Sequence, residues 1–209
     1  MDSLKYIQEK FQVDLKQKTP ITLPISKYTG LPNLYKELGY KVGAEIGVNK
    51  GRFSKWICHQ MRRNKPKLFL VDPYKSYKEY SEYLDQDQMD SIFEQAKVRL
   101  AKYNCEFVQK MSMEAVKDFQ DNSLDFVYID GNHDYQFVVN DIAEWSKKVK
   151  PGGMVSGHDY SKYMFQVIEA VNGWVNSRRI KPLFLTEKHA CWFYIKEGCQ
   201  EPTREATRQ

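Results

Sequence analysis

Val42-Gly43-Ala44-Glu45-Ile46-Gly47-Val48-Asn49-Lys50-Gly51 is a short β-rich run ending in a glycine-spaced turn, and beyond it Phe53, Trp56, Ile57 and Met61 fall on one face of a helix. A strand, a tight turn and an amphipathic helix form the repeating unit of a parallel sheet. The same rhythm continues along the chain. Strands are expected at 42–46, 68–71, 106–108, 124–129 and 154–157, with a final pair at 183–185 and 192–195. Helical faces recur at Val138, Ile142, Trp145 and Val149, and at Met164, Val167, Ile168, Val171, Trp174 and Val175. Near-continuous apolar strands between amphipathic helices predict a parallel sheet covered on both faces. The last two strands are joined by Thr186-Glu187-Lys188-His189-Ala190, which is too short for a parallel crossover, so they are expected to form an antiparallel hairpin. The expected class is α/β: a Rossmann-like, doubly wound, seven-stranded sheet with an antiparallel last strand.

Composition narrows what such a sheet does. The chain has 209 residues, 14% of them aromatic, and no apolar run of membrane-spanning length, which argues against a disordered chain and against a membrane helix. The net charge of +5 comes from 32 basic and 27 acidic residues, an excess too mild for a dedicated nucleic-acid binder. Basic clusters at 62–67, 147–150 and 178–181 read as solvated helix ends. Cys58, Cys105, Cys191 and Cys199 lack CxxC spacing and read as reduced thiols. The first twenty residues have no basic stretch followed by an apolar one, so a cytoplasmic protein is expected. Residues 1–41 read as a helical and irregular extension, with Pro20, Pro24, Gly30 and Pro32 marking an irregular connection before a short helix at 33–38; residues 42–196 read as the α/β domain and 197–209 as a polar tail.

In open α/β sheets ligands bind beyond the carboxyl ends of the strands. That rule selects the turn after residue 46, Asp72-Pro73-Tyr74, Asp130-Gly131-Asn132-His133-Asp134-Tyr135 and Gly157-His158-Asp159-Tyr160. Gly47 permits a tight turn and close ligand approach, and Gly51 lets the following helix pack near the strand. Glu45 would repel a pyrophosphate but suits an ammonium group. Asp72 is placed to accept both hydroxyls of a ribose, or to open a turn before Pro73. Together Glu45 and Asp72 describe a pocket for an adenosyl amino acid.

With those residues in place, the chain resembles class I S-adenosylmethionine-dependent methyltransferases, most closely the small-molecule O-methyltransferase branch of macrocin and catechol type, the "methyltransferase domain 24" group. The resemblance is carried by residues 42–48, Leu70-Val71-Asp72-Pro73-Tyr74, residues 126–135 and Lys150-Pro151-Gly152-Gly153 running into Gly157-His158-Asp159-Tyr160. It implies S-adenosylmethionine as cosubstrate. Glu45, Gly47, Val48 and Gly51 would lie at its methionine end, Asp72 on the ribose, Met111 and Ser112 against the adenine, and Asp130 beside it.

Methyl transfer to a hydroxyl needs alignment and a deprotonated oxygen. Asp130 and Asp159 end neighbouring strands and suit a shared divalent cation, Mg²⁺ from the carboxylates or Mn²⁺ if the His158 imidazole joins them. His158 is thus a candidate metal ligand or base, and His133 resembles the general base of sugar O-methyltransferases. His59 and His189 read as structural, and Asp134 and Asp141 as a cap and an exposed helix position. Tyr74, Tyr77, Tyr80 and Tyr83 read either as an acceptor lid or as a surface helix. The expected acceptor is a hydroxyl of a small molecule or saccharide, with no nucleic acid and no membrane; the first forty residues are a candidate for acceptor recognition or homodimer contact. Two other readings stand beside this one. A nucleic-acid methyltransferase would carry an Asn/Asp-Pro-Pro-aromatic tetrad where this chain has Asp130-Gly131-Asn132-His133, and a repurposed member would bind a nucleotide-like ligand without methyl transfer.

Overall fold

The computed structural model describes residues 2–77 and 84–198. Eight strands form one sheet: β1 (Ile21–Ser26), β2 (Val42–Ile46), β3 (Lys67–Val71), β4 (Cys105–Val108), β5 (Leu124–Ile129), β6 (Val149–Gly157), β7 (Phe184–Lys188) and β8 (Trp192–Ile195). Their order is β1-β7-β8-β6-β5-β2-β3-β4. β8 runs antiparallel to both β6 and β7, and every other pairing is parallel. The doubly wound sheet with an antiparallel last strand is therefore present, with one strand more than expected. The additional strand is β1, from the stretch read as an irregular connection. Pro24 is tolerated because β1 is an edge strand, bonded on one side only, to β7.

The α-helices among the described residues are α1 (Ser3–Phe11), α2 (Gly30–Glu37), α3 (Arg52–Gln60), α4 (Gln86–Leu100), α5 (Ser112–Ala115), α6 (Tyr135–Lys148) and α7 (Phe165–Ser177). Strand alternation divides the core in two. On β2, Ala44 and Ile46 join the cluster holding Trp145, Val167 and Val171 from α6 and α7. The opposite face carries Tyr128, Phe126, Phe53, Ile57 and Leu100, covered by helices of the first half of the chain. Gly43 lies on this second face, where a Cβ would stand 2.2 Å from the Phe126 ring, itself stacked on Tyr35 at 4.2 Å.

α4 lies outside the sequence expectation. Its start is fixed by a capping box, in which the Asp85 side chain accepts from Gln88 N and the Gln88 side chain returns to Asp85 N. Its buried face is Met89, Ile92, Ala96 and Leu100. Tyr74, read as part of either a lid or a surface helix, is instead a core residue, 3% exposed with its ring centroid 4.5 Å from that of Phe93. Tyr80 and Tyr83 lie outside the described residues.

Candidate active site

The sheet order reverses between β2 and β5: β2, β3 and β4 progress to one side, and the chain then returns to place β5 on the other side of β2. Gly47, immediately after β2, adopts φ +83°, and a Cβ there would meet the Asp130 carbonyl oxygen at 2.1 Å. Glycine is thus required by conformation and by the closeness of the two strand ends. A cleft of about 870 Å³ opens at this point. Among its lining residues are Glu45, Gly47, Val48, Asp72, Met111, Ser112, Asp130 and His133. Gly51, His158 and Asp159 are not in that lining; Gly51 packs the α3 entry against α4, where a Cβ would stand 2.7 Å from Leu100 Cδ1.

Glu45 is 2% exposed, and its Oε2 is buried without a hydrogen-bond partner. Burial pushes its carboxyl up to about 8, a rise opposed by the Ser54 hydroxyl and Lys27 and aided by the negative Asp130. Asp72 Oδ2 accepts from the backbone N–H groups of Val48 and Asn49, both at 2.9 Å, and Oδ1 from Tyr74 N–H at 2.9 Å. These bonds tie the β2–α3 turn to the end of β3. They use three of the roughly four lone-pair directions of a carboxylate, leaving about one for a ligand hydroxyl.

At the ends of β5 and β6 five charged side chains converge. Lys27 Nζ lies 2.9 Å from Asp130 Oδ2. His133 Nε2 is 3.0 Å from Asp159 Oδ2 and 3.9 Å from Asp130 Oδ1. His158 Nδ1 is 3.1 Å from Asp159 Oδ2 and 3.4 Å from Asp130 Oδ1. Asp159 reaches inward from a left-handed backbone conformation, φ +59°, an uncommon state for a non-glycine residue that aspartate tolerates better than most. Burial raises the Asp130 and Asp159 carboxyls, yet the two imidazoles hold both well below the usual carboxylate range, and Lys27 adds to this at Asp130. In return Asp130 and Asp159 push His133 up to about 10, and they lift His158 to about 9 against its burial.

One ligand atom from each of Asp130, His133 and Asp159 lies within 4.8 Å of the others, and His133 Nε2 is buried without a hydrogen bond of proper geometry. Three such groups at that spacing fit a divalent cation held between them. This grouping contains His133, and His158, the imidazole expected as a ligand, lies beside the same two carboxylates. The unpartnered Glu45 Oε2 in the cleft wall likewise fits a ligand that brings an ammonium group.

Sequence reasoning passed over Lys27 and Tyr28, which follow β1 and line the cleft. The Lys27 ammonium lies 5.1 Å from the Phe53 ring and 5.4 Å from that of Tyr128. Tyr28 meets Phe53, Trp56 and His189 edge-on or tilted. Asp141, read as exposed, is 5% exposed and belongs to the cleft wall. Its place between Val138 and Trp145, at spacings of three and four, was the available signal. Asp134 occupies the N-cap position of α6, but its side chain makes no capping hydrogen bond.

A sheet of this order with its ligand cleft at the switch point is the architecture of class I S-adenosylmethionine-dependent methyltransferases. The match to a methyltransferase-domain family over residues 44–160 covers more than half of the chain, and the protein belongs to that family. Similar solved structures include the O-methyltransferase NovP, with TM-score 0.57, 13% identity and coverage of 76% of this chain and 72% of that one. A putative caffeoyl-CoA O-methyltransferase from Staphylococcus aureus gives TM-score 0.58 at 15% identity, covering 92% and 90%. At these identities the likeness is one of fold. An uncharacterized protein, R132, of Acanthamoeba polyphaga mimivirus is 41% identical over 59 residues, which span 27% of this chain and 27% of that protein. No helix among the described residues is long and apolar enough to cross a membrane.

Proposed function

We propose that this protein is a cytoplasmic O-methyltransferase that moves the methyl group of S-adenosylmethionine to a hydroxyl of a small molecule or saccharide, assisted by a divalent cation. The observation that carries this reading is the convergence of Asp130, His133 and Asp159 beside a cleft whose wall holds Glu45, Gly47 and Asp72. The names of the similar structures, both O-methyltransferases, support it.

Glu45 receives the ammonium of the methionine moiety, Asp72 takes one ribose hydroxyl, and Met111 and Ser112 flank the base. The cluster at the ends of β5 and β6 would then receive the acceptor hydroxyl. Attack is an in-line displacement in which an alkoxide and a sulfonium neutralise each other, so the protein must mainly align the two and remove the hydroxyl proton. With its proton held up to about 10, His133 is an acid near neutral pH in the metal-free cluster. A divalent cation bound by Asp130, His133 and Asp159 would displace that proton and lower the pKa of an acceptor hydroxyl. His158, 3.1 Å from Asp159 and itself held up to about 9 by the same two carboxylates, would lose that support once a cation engaged them and would then be the nearby imidazole placed to take the acceptor proton. Lys27 holds Asp130 in place and supplies positive charge beside the developing alkoxide.

Calorimetric titration with S-adenosylmethionine and S-adenosylhomocysteine is the deciding experiment. Binding of both is expected, and absence of binding at millimolar ligand overturns the reading.

A further inference from the structure

Cys58, on the buried face of α3, and Cys105, the first residue of β4, bring their sulfur atoms to 3.6 Å although 47 residues separate them in sequence. β4 is an edge strand, bonded to β3 alone among the described residues, and Cys105 is only partly buried there. One sulfur can therefore be reached from solvent while the other, on the 3% exposed Cys58, lies beneath it. The Cys58 thiol donates to Cys105, which holds Cys105 below the usual thiol range and pushes Cys58 up, and burial adds to the rise at Cys58. An accessible thiolate with a second thiol in contact is the arrangement of a pair that exchanges with disulfides. Cys191 gives the contrast: it is fully buried, and its sulfur meets the Tyr128 hydroxyl at 3.3 Å, not another thiol.

We propose that Cys58 and Cys105 form a modification site, a dithiol that a low-molecular-weight disulfide oxidises to an intramolecular disulfide, fastening α3 to β4 in the folded protein. The Cys105 thiolate attacks one sulfur of the oxidant and expels the first thiolate. The Cys58 sulfur, losing its proton, then attacks the Cys105 sulfur of the mixed disulfide and expels the second. In sum two hydrogens pass from the pair to the oxidant, which becomes two thiols. The bond requires the sulfurs to close from 3.6 Å to about 2.05 Å, a movement asked of the first residue of a strand held on one side only. The loop closed in this way contains Asp72 and all of α4, and α3 begins with Arg52 and Phe53. Each of these contributes to the cleft wall, so the crosslink ties together three parts of that wall.

The test uses the full chain, reduced, freed of reductant and incubated with excess glutathione disulfide. Remaining thiols are alkylated in denaturant, and the product is digested with trypsin without reduction. The expected result is a linked pair of peptides, 56–62 and 103–110, lighter by two hydrogens than the two separate peptides and parted again by dithiothreitol. Recovery of Cys58 and Cys105 as alkylated thiols, or a link from either of them to Cys191 or Cys199, overturns the assignment. This mapping requires no variant to fold. The unfolding midpoint of the oxidised protein should rise by about 5–10 °C, as closing a loop of this length implies, and return on reduction. A midpoint that stays or falls would mean that the fold does not accommodate the bond, and overturns the site. Cys58→Ser leaves Cys105 without the thiol that resolves the mixed disulfide, so glutathione should remain attached to Cys105 in that variant; an unmodified Cys105 there overturns its role as the attacking thiol.

Discussion

Cosubstrate binding should expel a proton from Glu45. The perturbation is the arrival of a ligand ammonium beside a carboxyl that is 2% exposed, lacks a partner on Oε2 and is pushed up to about 8. With that value the empty site is ~90% protonated at pH 7, ~50% at pH 8 and ~10% at pH 9. If the bound form is an ion pair, those fractions are the protons released by Glu45 on binding. Holding the proton at pH 7 costs the ionised complex about 1.4 kcal/mol, so the Glu45 contribution should tighten binding about fivefold from pH 7 to pH 8. The assay is calorimetry in buffers of different ionisation enthalpy, where the slope of observed enthalpy gives the number of protons exchanged. Subtracting the slope for Glu45→Gln cancels proton exchange by the ligand's own amine. A difference of ~0.9 proton at pH 7 that fades by pH 9 is expected. A slope that is the same in both proteins at pH 7 would refute the ammonium–carboxylate pairing.

Other expectations follow from the same geometry. Methyl transfer should require a divalent ion, and Asp130→Ala or Asp159→Ala should abolish that dependence; activity undiminished by EDTA would remove the cation from the mechanism. Lys27→Met should destabilise the fold by about 3 kcal/mol in urea titrations, the lower end for breaking a buried pair, because two imidazoles still face Asp130. A variant as stable as the wild type would show that Lys27 is not needed to balance that carboxylate. In EDTA-treated protein the folded state retains His133 and His158 protons up to about 10 and about 9, against 6.5 in the unfolded chain. The stability these groups add is full below pH 6.5 and is lost as pH rises through 9–10, so the unfolding midpoint should fall over that window; a flat profile would contradict the raised values. Gly47→Ala should cost about 2–3 kcal/mol, since the new Cβ meets the Asp130 carbonyl at a positive φ. Wild-type stability in that variant would argue against the closeness of the two strand ends.

Much of the fold was legible because buried strands announce themselves locally. The strands at 42–46, 124–129 and 192–195 have the bounds expected from their apolar runs, and the short link before Trp192 forced the antiparallel hairpin. The capping box of α4 was equally visible at Asp85 and Gln88 and was passed over beside the tyrosine-rich stretch. β1 was not legible in the same way. Its six residues carry a proline, and its only strand partner among the described residues is β7, far along the chain, so nothing nearby in the chain specifies it.

The sequence by itself determined which side chains stand at strand ends: Glu45, Asp72, Asp130, His133, His158 and Asp159 follow from strand boundaries and the position rule for open sheets. Only the tertiary structure decided how they are used. Three backbone amides occupy most of Asp72, two imidazoles and a lysine surround Asp130, and His133 stands beside both Asp130 and Asp159. Lys27, which follows the edge strand β1, reaches Asp130 across 103 residues of chain. Local pattern fixes where a side chain starts, but charge, burial and shared protons depend on neighbours that only folding brings within a few ångströms.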